Sequence, residues 1–364
     1  MTTTERIAAS HFLPTDEPLG LVSPDGKPVE QPVLPMPADE VLLRLHSGMV
    51  AGRRFDTQAT ALTKQGRLAV YPSARGQEAC EIGGVLALRP QDWLFPTYRD
   101  SMAIVARGVD PIEVLTLLRG DWHCGYDPYR ANVAPQCTPL ATNTLHAVGF
   151  AHAARVKGED TVSLVLLGDG ATSEGDTHEA LNFAAVWKAP VVFLVQNNGY
   201  AISVPLAKQT AAPSLAYKGV GYGMPSVLVD GNDAAAVHAA TEQAVARAAA
   251  GEGPTLIEAV TYRIESHTNA DDATRYRERA EVEEWLERDP IARLKQYLTD
   301  RGLFNEQAQQ EIDVRAEADA ASLRERMNID TVLDPAELFQ HVYAEPTAAL
   351  RMQAAELAAE LEER

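Results

Sequence analysis

The sequence predicts an α/β fold with a mostly parallel central sheet covered by helices on both faces. Three observations predict it. Apolar runs over 162–167, interrupted only by Ser163, and over 191–195 read as buried strands, because a strand wet on one face would alternate polar and apolar residues. The stretch near 174–188 between them has helical spacing, and the pattern recurs as strand 226–230, helix 233–250 and strand 255–262. Strands alternating with helices join in parallel through crossovers. With 364 residues, 46% of them hydrophobic, the chain is long enough to bury a large core.

Taken in order, residues 1–37 carry seven prolines and little periodicity, which predicts an extended arm suited to wrapping a partner subunit. From Ala38 the pattern turns helical, with Val41, Leu42, Leu45 and Met49 on one stripe. Helices follow over 77–89 and 100–120, the second starting beside Tyr98-Arg99. Asn232 and Asp233 are candidate N-caps for the alanine-rich helix at 233–250. Beyond Asp289 the chain is acidic, alanine-rich and helical, and Ala348–Arg364 reads as a solvated amphipathic helix or a subunit contact. The expected organisation is an arm over 1–37, an α/β domain over 38–290 and a helical C-terminal extension over 291–364.

Composition excludes several classes. A net charge of −19 opposes nucleic-acid binding, which needs a basic footprint. Cysteines 80, 124 and 137 have neither disulfide nor zinc spacing and read as small buried hydrophobes. No apolar run approaches the ~18 residues of a membrane span, and the N-terminus has no signal-peptide pattern, so a cytoplasmic protein is expected.

The chemistry lies at two strand ends. Gly168-Asp169-Gly170 closes the first apolar run and Asn197-Asn198 closes the second, with 26 residues between the two signatures. Open α/β sheets bind ligands beyond the C-terminal ends of their strands. A strand–helix–strand unit of this length brings Asp169 and Asn198 together at one sheet edge. A carboxylate and an amide oxygen suit Mg²⁺, which takes hard oxygen ligands and completes its shell with phosphate and water. A diphosphate–magnesium site follows. A dinucleotide fingerprint is excluded because the third glycine arrives only at 175, and no Gly-Lys-Ser/Thr follows to make a P-loop. A lone Gly-Asp-Gly would more often be a plain turn; the Asn-Asn pair at this distance favours the site.

The segment from Gly168 to Ser203 resembles the thiamine-diphosphate motif, in the form found in the alpha subunit of the decarboxylating component of 2-oxo acid dehydrogenase complexes. The similarity runs from about Leu42 to about Tyr343, with further matches at RGQEA (75–79), Phe95-Pro-Thr-Tyr98-Arg99-Asp100, Thr138-Pro139-Leu140-Ala141-Thr142, VDGND (229–233) and the segment 253–272. The resemblance implies the thiamine-diphosphate-binding fold. It implies Asp169, Asn198 and the Tyr200 carbonyl as Mg²⁺ ligands, with Gly168, Gly170 and Ala171 offering main-chain N–H groups to the diphosphate. Tyr98 and Arg99 match a pair that binds the diphosphate, a planar guanidinium meeting phosphate oxygens in twos. Thr138 and Leu140 match positions lining the cofactor. His267 matches the family histidine near the diphosphate, where an imidazole of near-neutral pKa would exchange protons or hold a carboxylate. A lone histidine would more often be structural; His178 reads that way, and His123 and His146 have too little context for a role.

Departures from the pattern are informative. The loop after His267 lacks the serines that are phosphorylated in eukaryotic relatives and offers only Thr268. Gln196 stands where the mammalian branched-chain enzyme has arginine, which weakens one diphosphate contact. Cys137 and Asn143 replace the serine and glutamine of a potassium site, leaving that ion open.

The implied activity is oxidative decarboxylation of a 2-oxo acid, with acyl transfer to the lipoyl group of a transacylase component. The cofactor would serve as the electron sink. The glutamate that activates the cofactor comes from the beta subunit in two-chain members, and no pyrimidine-binding half is found here. An α2β2 heterotetramer, inactive without beta, is therefore expected. Tyr262-Arg-Ile, Tyr276-Arg277, Asp289-Pro-Ile-Ala-Arg-Leu and Val342-Tyr343-Ala-Glu-Pro look closer to the branched-chain members. Pyruvate or acetoin dehydrogenase alpha subunits are the alternatives, with a vestigial acidic scaffold as the non-enzymatic one. A single-chain transketolase-like enzyme would need more length.

Overall fold

A computed structural model describes residues 12–363. Residues 12–37 lie along the chain's own body. Leu19 bridges Val229 in parallel, and Leu21, Val22 and Leu34 are buried. The arm expected to reach a partner thus spends this stretch covering its own sheet edge; residues 1–11 fall outside the described residues.

The element order is α1 (Asp39–Lys64), α2 (Glu78–Leu86), β1 (Trp93–Phe95), α3 (Ser101–Ala106), α4 (Pro111–Arg119), α5 (Pro128–Ala131) and α6 (Thr142–Lys157). Then come β2 (Ser163–Gly168), α7 (Gly175–Trp187), β3 (Val191–Asn197), β4 (Tyr200–Ala201), β5 (Val204–Pro205), α8 (Tyr217–Gly221), β6 (Ser226–Asp230), α9 (Ala234–Ala249) and β7 (Thr255–Val260). Helices α10 (Arg279–Leu286), α11 (Pro290–Asp300), α12 (Glu306–Met327), α13 (Glu337–Gln340) and α14 (Ala348–Glu362) complete it.

Five strands form one all-parallel sheet in the order β1-β2-β3-β7-β6. The two-residue pleat divides each strand between two cores. Leu164, Leu166, Val192 and Leu194 pack with α2 and α9, while Val165, Leu167, Phe193 and Val195 pack with α6 and α7. Both faces are dry, which is why the strand sequences run apolar without alternation. Helices α1 and α11 pack over α2, and α12 packs outside them on α1 and α4. The last helix, α14, buries no residue against this chain, which fits a solvated helix and a subunit contact alike.

The expected single helix over 100–120 is two. Gly108 adopts φ +96°, and Asp110 caps a new helix whose first residue is Pro111. A left-handed glycine followed by an N-cap and proline stops one helix and starts the next. The expected strand 255–262 stops at Val260, and Thr261–Arg263 turn toward the site. Helix α6 and strand β1 escaped the sequence reading. The first is alanine-rich with a weak apolar stripe, and the second has only 3 residues. Among the described residues no helix is long and apolar enough to cross a membrane.

Candidate active site

Strand register builds the site. Gly168 pairs with Gln196 across the sheet, so Asp169 and Asn198 leave adjacent strands at the same C-terminal edge and line one cleft. Side-chain alternation sorts the paired asparagines. Asn197 points the other way and donates to the Glu258 carboxylate at 2.7 Å, which fixes β3 to β7, and Asn198 is left facing the cleft.

The glycines have separate reasons. A Cβ at Gly170 would meet the Ala201 Cβ at 2.7 Å, so glycine lets the turn at Gly170–Ser173 nest under β4. A Cβ at Gly168 would meet nothing within 4 Å and would stand in open space at the cleft wall. Bare backbone there leaves room for a ligand to approach.

The cleft is electrically divided. On one side is Asp169, buried, with Gln209 Nε2 donating to its Oδ2 at 2.6 Å. Burial pushes its carboxyl above the usual range, a cost that a bound cation would relieve. On the other side are Arg99 and Arg263, both buried, and half-buried His267. Arg99 donates to Ser73 O at 2.7 Å and His267 O at 3.1 Å. Arg263 donates to Ile202 O and the Tyr276 hydroxyl, and its Nε has no partner. Burial, with Arg99 alongside, lowers the Arg263 guanidinium from its ordinary value. Two desolvated cations with a donor to spare describe an anion site.

His267 Nδ1 lies 3.0 Å from Arg99 Nη2 and 3.3 Å from Arg263 Nη1. Both guanidiniums are obligate donors, so Nδ1 accepts and the ring is neutral, with any proton on Nε2. Burial first, then Arg99 and Arg263, bring its pKa from 6.5 down to about 4. The near-neutral imidazole expected from sequence is thereby corrected: the two arginines that frame the site also discharge the histidine. In the unfolded chain this group protonates near 6.5, in the folded one near 4. Between those values the unfolded state binds the extra proton, so the contribution to stability is complete above about 6.5 and lost as pH falls to about 4. His267→Gln is expected to flatten the stability profile across that window, read as urea midpoints from pH 4 to 7. Parallel profiles for the two proteins would refute this.

The structure brings Tyr98, Arg99, Leu140, Gly168, Asp169, Gly170, Ala171, Asn198, Tyr200 and His267 together in the lining. Thr138 is not among them. It is exposed, because the chain turns outward after Cys137 pairs with Thr97. Tyr200 is half-buried on β4, its hydroxyl donating to Glu281 at 2.9 Å. Asn143, weighed for a potassium site, donates its amide N–H groups to Phe95 O and Leu166 O at 3.2 and 2.8 Å, satisfying those carbonyls itself. His178 Nδ1 lies within hydrogen-bond distance of the Tyr222 hydroxyl, at 2.8 Å, outside the cleft.

Gln77, Asp100, Glu174 and Arg263 also line the cleft, without having been assigned a role from sequence. A cation just past the end of the strand at 255–260 was a findable signal for Arg263, by the logic that found Asp169. Among the described residues no cluster of three or more His, Cys, Asp or Glu could hold a metal. At the ends of β2 and β3 the donors that face each other are the Asp169 carboxylate and the Asn198 amide oxygen, with carbonyls nearby, a set that suits a hard divalent cation completed by phosphate oxygens.

The dehydrogenase E1 component family matches residues 47–326. The chain is 49% identical over 346 residues to the 3-methyl-2-oxobutanoate dehydrogenase subunit alpha of Mycobacterium tuberculosis H37Rv, covering 95% of this chain and 94% of that one. It is 40% identical over 316 residues to the pyruvate dehydrogenase E1 component subunit alpha of Staphylococcus aureus Mu50, covering 86% and 85%.

Proposed function

The chain belongs to the dehydrogenase E1 component family, and from that premise we propose that it is the alpha subunit of a branched-chain 2-oxo acid dehydrogenase. It would act with a beta subunit, in an α2β2 assembly, on 2-oxo acids such as 3-methyl-2-oxobutanoate, and pass the acyl group to a lipoyl-bearing transacylase. The observation that carries this reading is the divided cleft. A buried carboxylate and amide oxygen line one cleft with two buried guanidiniums, a charge pattern that would suit a metal diphosphate.

In this reading Asp169, the Asn198 side-chain oxygen and the Tyr200 carbonyl hold Mg²⁺. Gly168, Gly170 and Ala171 offer backbone N–H groups to the diphosphate of thiamine diphosphate, and Tyr98, Arg99, Arg263 and His267 close its far side. Leu140 borders the ring at the mouth. Thiamine diphosphate, when bound, supplies the electron sink that lets carbon dioxide leave. The protein's part is to fix that group in place and exclude water from it. His267, neutral and accepting from two arginines, serves as an uncharged donor through Nε2.

Residues 38–290 form the cofactor-binding unit, flanked by the arm (1–37) and the helical extension (291–364). The cavity is about 190 Å³, below the ~300–1,000 Å³ usual for small-molecule sites. A space of that size would take the diphosphate end and leave the ring for another surface, which supports a partner subunit.

The test is dye reduction with 3-methyl-2-oxobutanoate, 4-methyl-2-oxopentanoate and pyruvate, using this chain alone and with its beta subunit. No turnover alone and fastest turnover of a branched substrate in the assembly are expected. Turnover by the isolated chain would overturn the two-chain reading. A higher kcat/KM on pyruvate would move the assignment to the acetyl-transferring enzyme.

A further inference from the structure

Behind the cation ligands runs a line of buried polar side chains with a fixed direction. Asp100 Oδ2 accepts from the Thr97 N–H and the Thr97 hydroxyl, both at 2.6 Å. Its Oδ1 accepts from Gln196 Nε2 at 2.6 Å. Gln196 Oε1 accepts from Gln77 Nε2 at 2.9 Å, and Gln77 Oε1 accepts from Asn198 Nδ2 at 3.0 Å. All four residues are buried.

An amide has one donating and one accepting end, whereas an ionised carboxylate only accepts. The carboxylate therefore sets the sense of the whole line. Each amide nitrogen must turn toward Asp100, and Asn198 is left with Oδ1 free at the cleft, where the Tyr200 N–H also reaches it at 3.3 Å. In a dry interior no water is at hand to satisfy a reversed amide. Reversal would present Asn198 N–H groups to a cation.

We infer that Asp100, acting through Gln196 and Gln77, is a positioning residue that turns the Asn198 amide oxygen toward a bound divalent cation. The inference rests on the reading of Asp169 and Asn198 as the cation site. It gives Gln77 and Gln196 a task that neither composition nor strand position suggests.

The line makes an unusual demand on mutants. In Asp100→Asn the two Thr97 donors hold the new side-chain oxygen, so its nitrogen faces Gln196. Every hydrogen bond can then be kept only by flipping Gln196, Gln77 and Asn198 together. Mn²⁺ affinity, read by electron paramagnetic resonance of free Mn²⁺ with thiamine diphosphate present and the partner subunit bound, is expected to fall about 10- to 100-fold. The double variant D100N/Q196E moves the carboxylate one link along. Glu at 196 accepts from both neighbours and restores the original sense, so most of the affinity is expected to return. Gln77→Met cuts the line without moving charge and should weaken Mn²⁺ less than Asp100→Asn.

Thermal unfolding of each variant separates folding from orientation. If Asp100→Asn does not fold, the double variant and Gln77→Met carry the test. Wild-type affinity in Asp100→Asn or in Gln77→Met, or a folded double variant that regains nothing, overturns the inference while the site stands. No Mn²⁺ binding by the wild-type assembly overturns the cation site, and the inference with it.

Discussion

Asp169→Ala is expected to lower the kcat/KM of the assembled enzyme by about 100- to 1,000-fold. The reason is the composition of the donor set. In the proposed set of Asp169, Asn198 and the Tyr200 carbonyl, Asp169 supplies the one carboxylate, and a catalytic metal typically contributes several kcal/mol, each ~1.4 kcal/mol being a factor of ten. Stability should move the other way or not at all. The carboxyl is buried, takes one side-chain hydrogen bond from Gln209, and is pushed above its usual range by burial. Removing it from the apo protein therefore removes an acid whose desolvation outweighs its hydrogen bonds from Gln209 and from the backbone at Asp169 and Asn198. Calorimetry with Mg²⁺ and thiamine diphosphate, paired with thermal unfolding, checks both halves. A variant that keeps wild-type turnover would sink the cation site; one that merely unfolds would show the residue to be structural.

Arg99→Met should weaken thiamine diphosphate by about 10- to 100-fold, since a charge-assisted hydrogen bond contributes roughly 1.5–3 kcal/mol. Methionine keeps most of the volume and loses the fork. Two further consequences follow from the contacts. The bonds to Ser73 O and His267 O disappear, so the loop at 267–271 loses its link through Arg99 to the segment at Ser73. His267 also loses the larger of the two cationic influences that depress its pKa, and should titrate higher than about 4. Isotope-edited NMR of the imidazole reads that shift independently of catalysis. Arg99→Lys would keep the charge and lose the paired geometry, so it should recover only part of the affinity. An affinity untouched by Arg99→Met would remove the diphosphate from this side of the cleft.

Much of the fold was legible because buried parallel strands leave a strong trace. Val162–Leu167 and Val191–Val195 admit few readings other than strands dry on both faces, and the observed strands are Ser163–Gly168 and Val191–Asn197. Asp169 and Asn198 were legible for the same reason, since strand ends in such sheets are where ligands lie. Elements whose burial is partial left weaker traces. Helix α6 has no sharp apolar stripe, and the break between α3 and α4 depends on a left-handed Gly108 within an otherwise helical pattern.

The sequence by itself determined the α/β class, the family and the placing of Asp169 and Asn198 at one sheet edge, because these depend on local apolar runs and on motifs whose spacing is short. Tertiary structure decided what depends on contacts between distant segments. It put Arg263 and Arg99 on the same histidine, turning an expected proton carrier into a neutral acceptor, and it aligned Gln77, Gln196 and Asp100 behind Asn198. Charge and hydrogen-bond direction at a buried site are set by neighbours in space, and no residue carries that information in its own place along the chain.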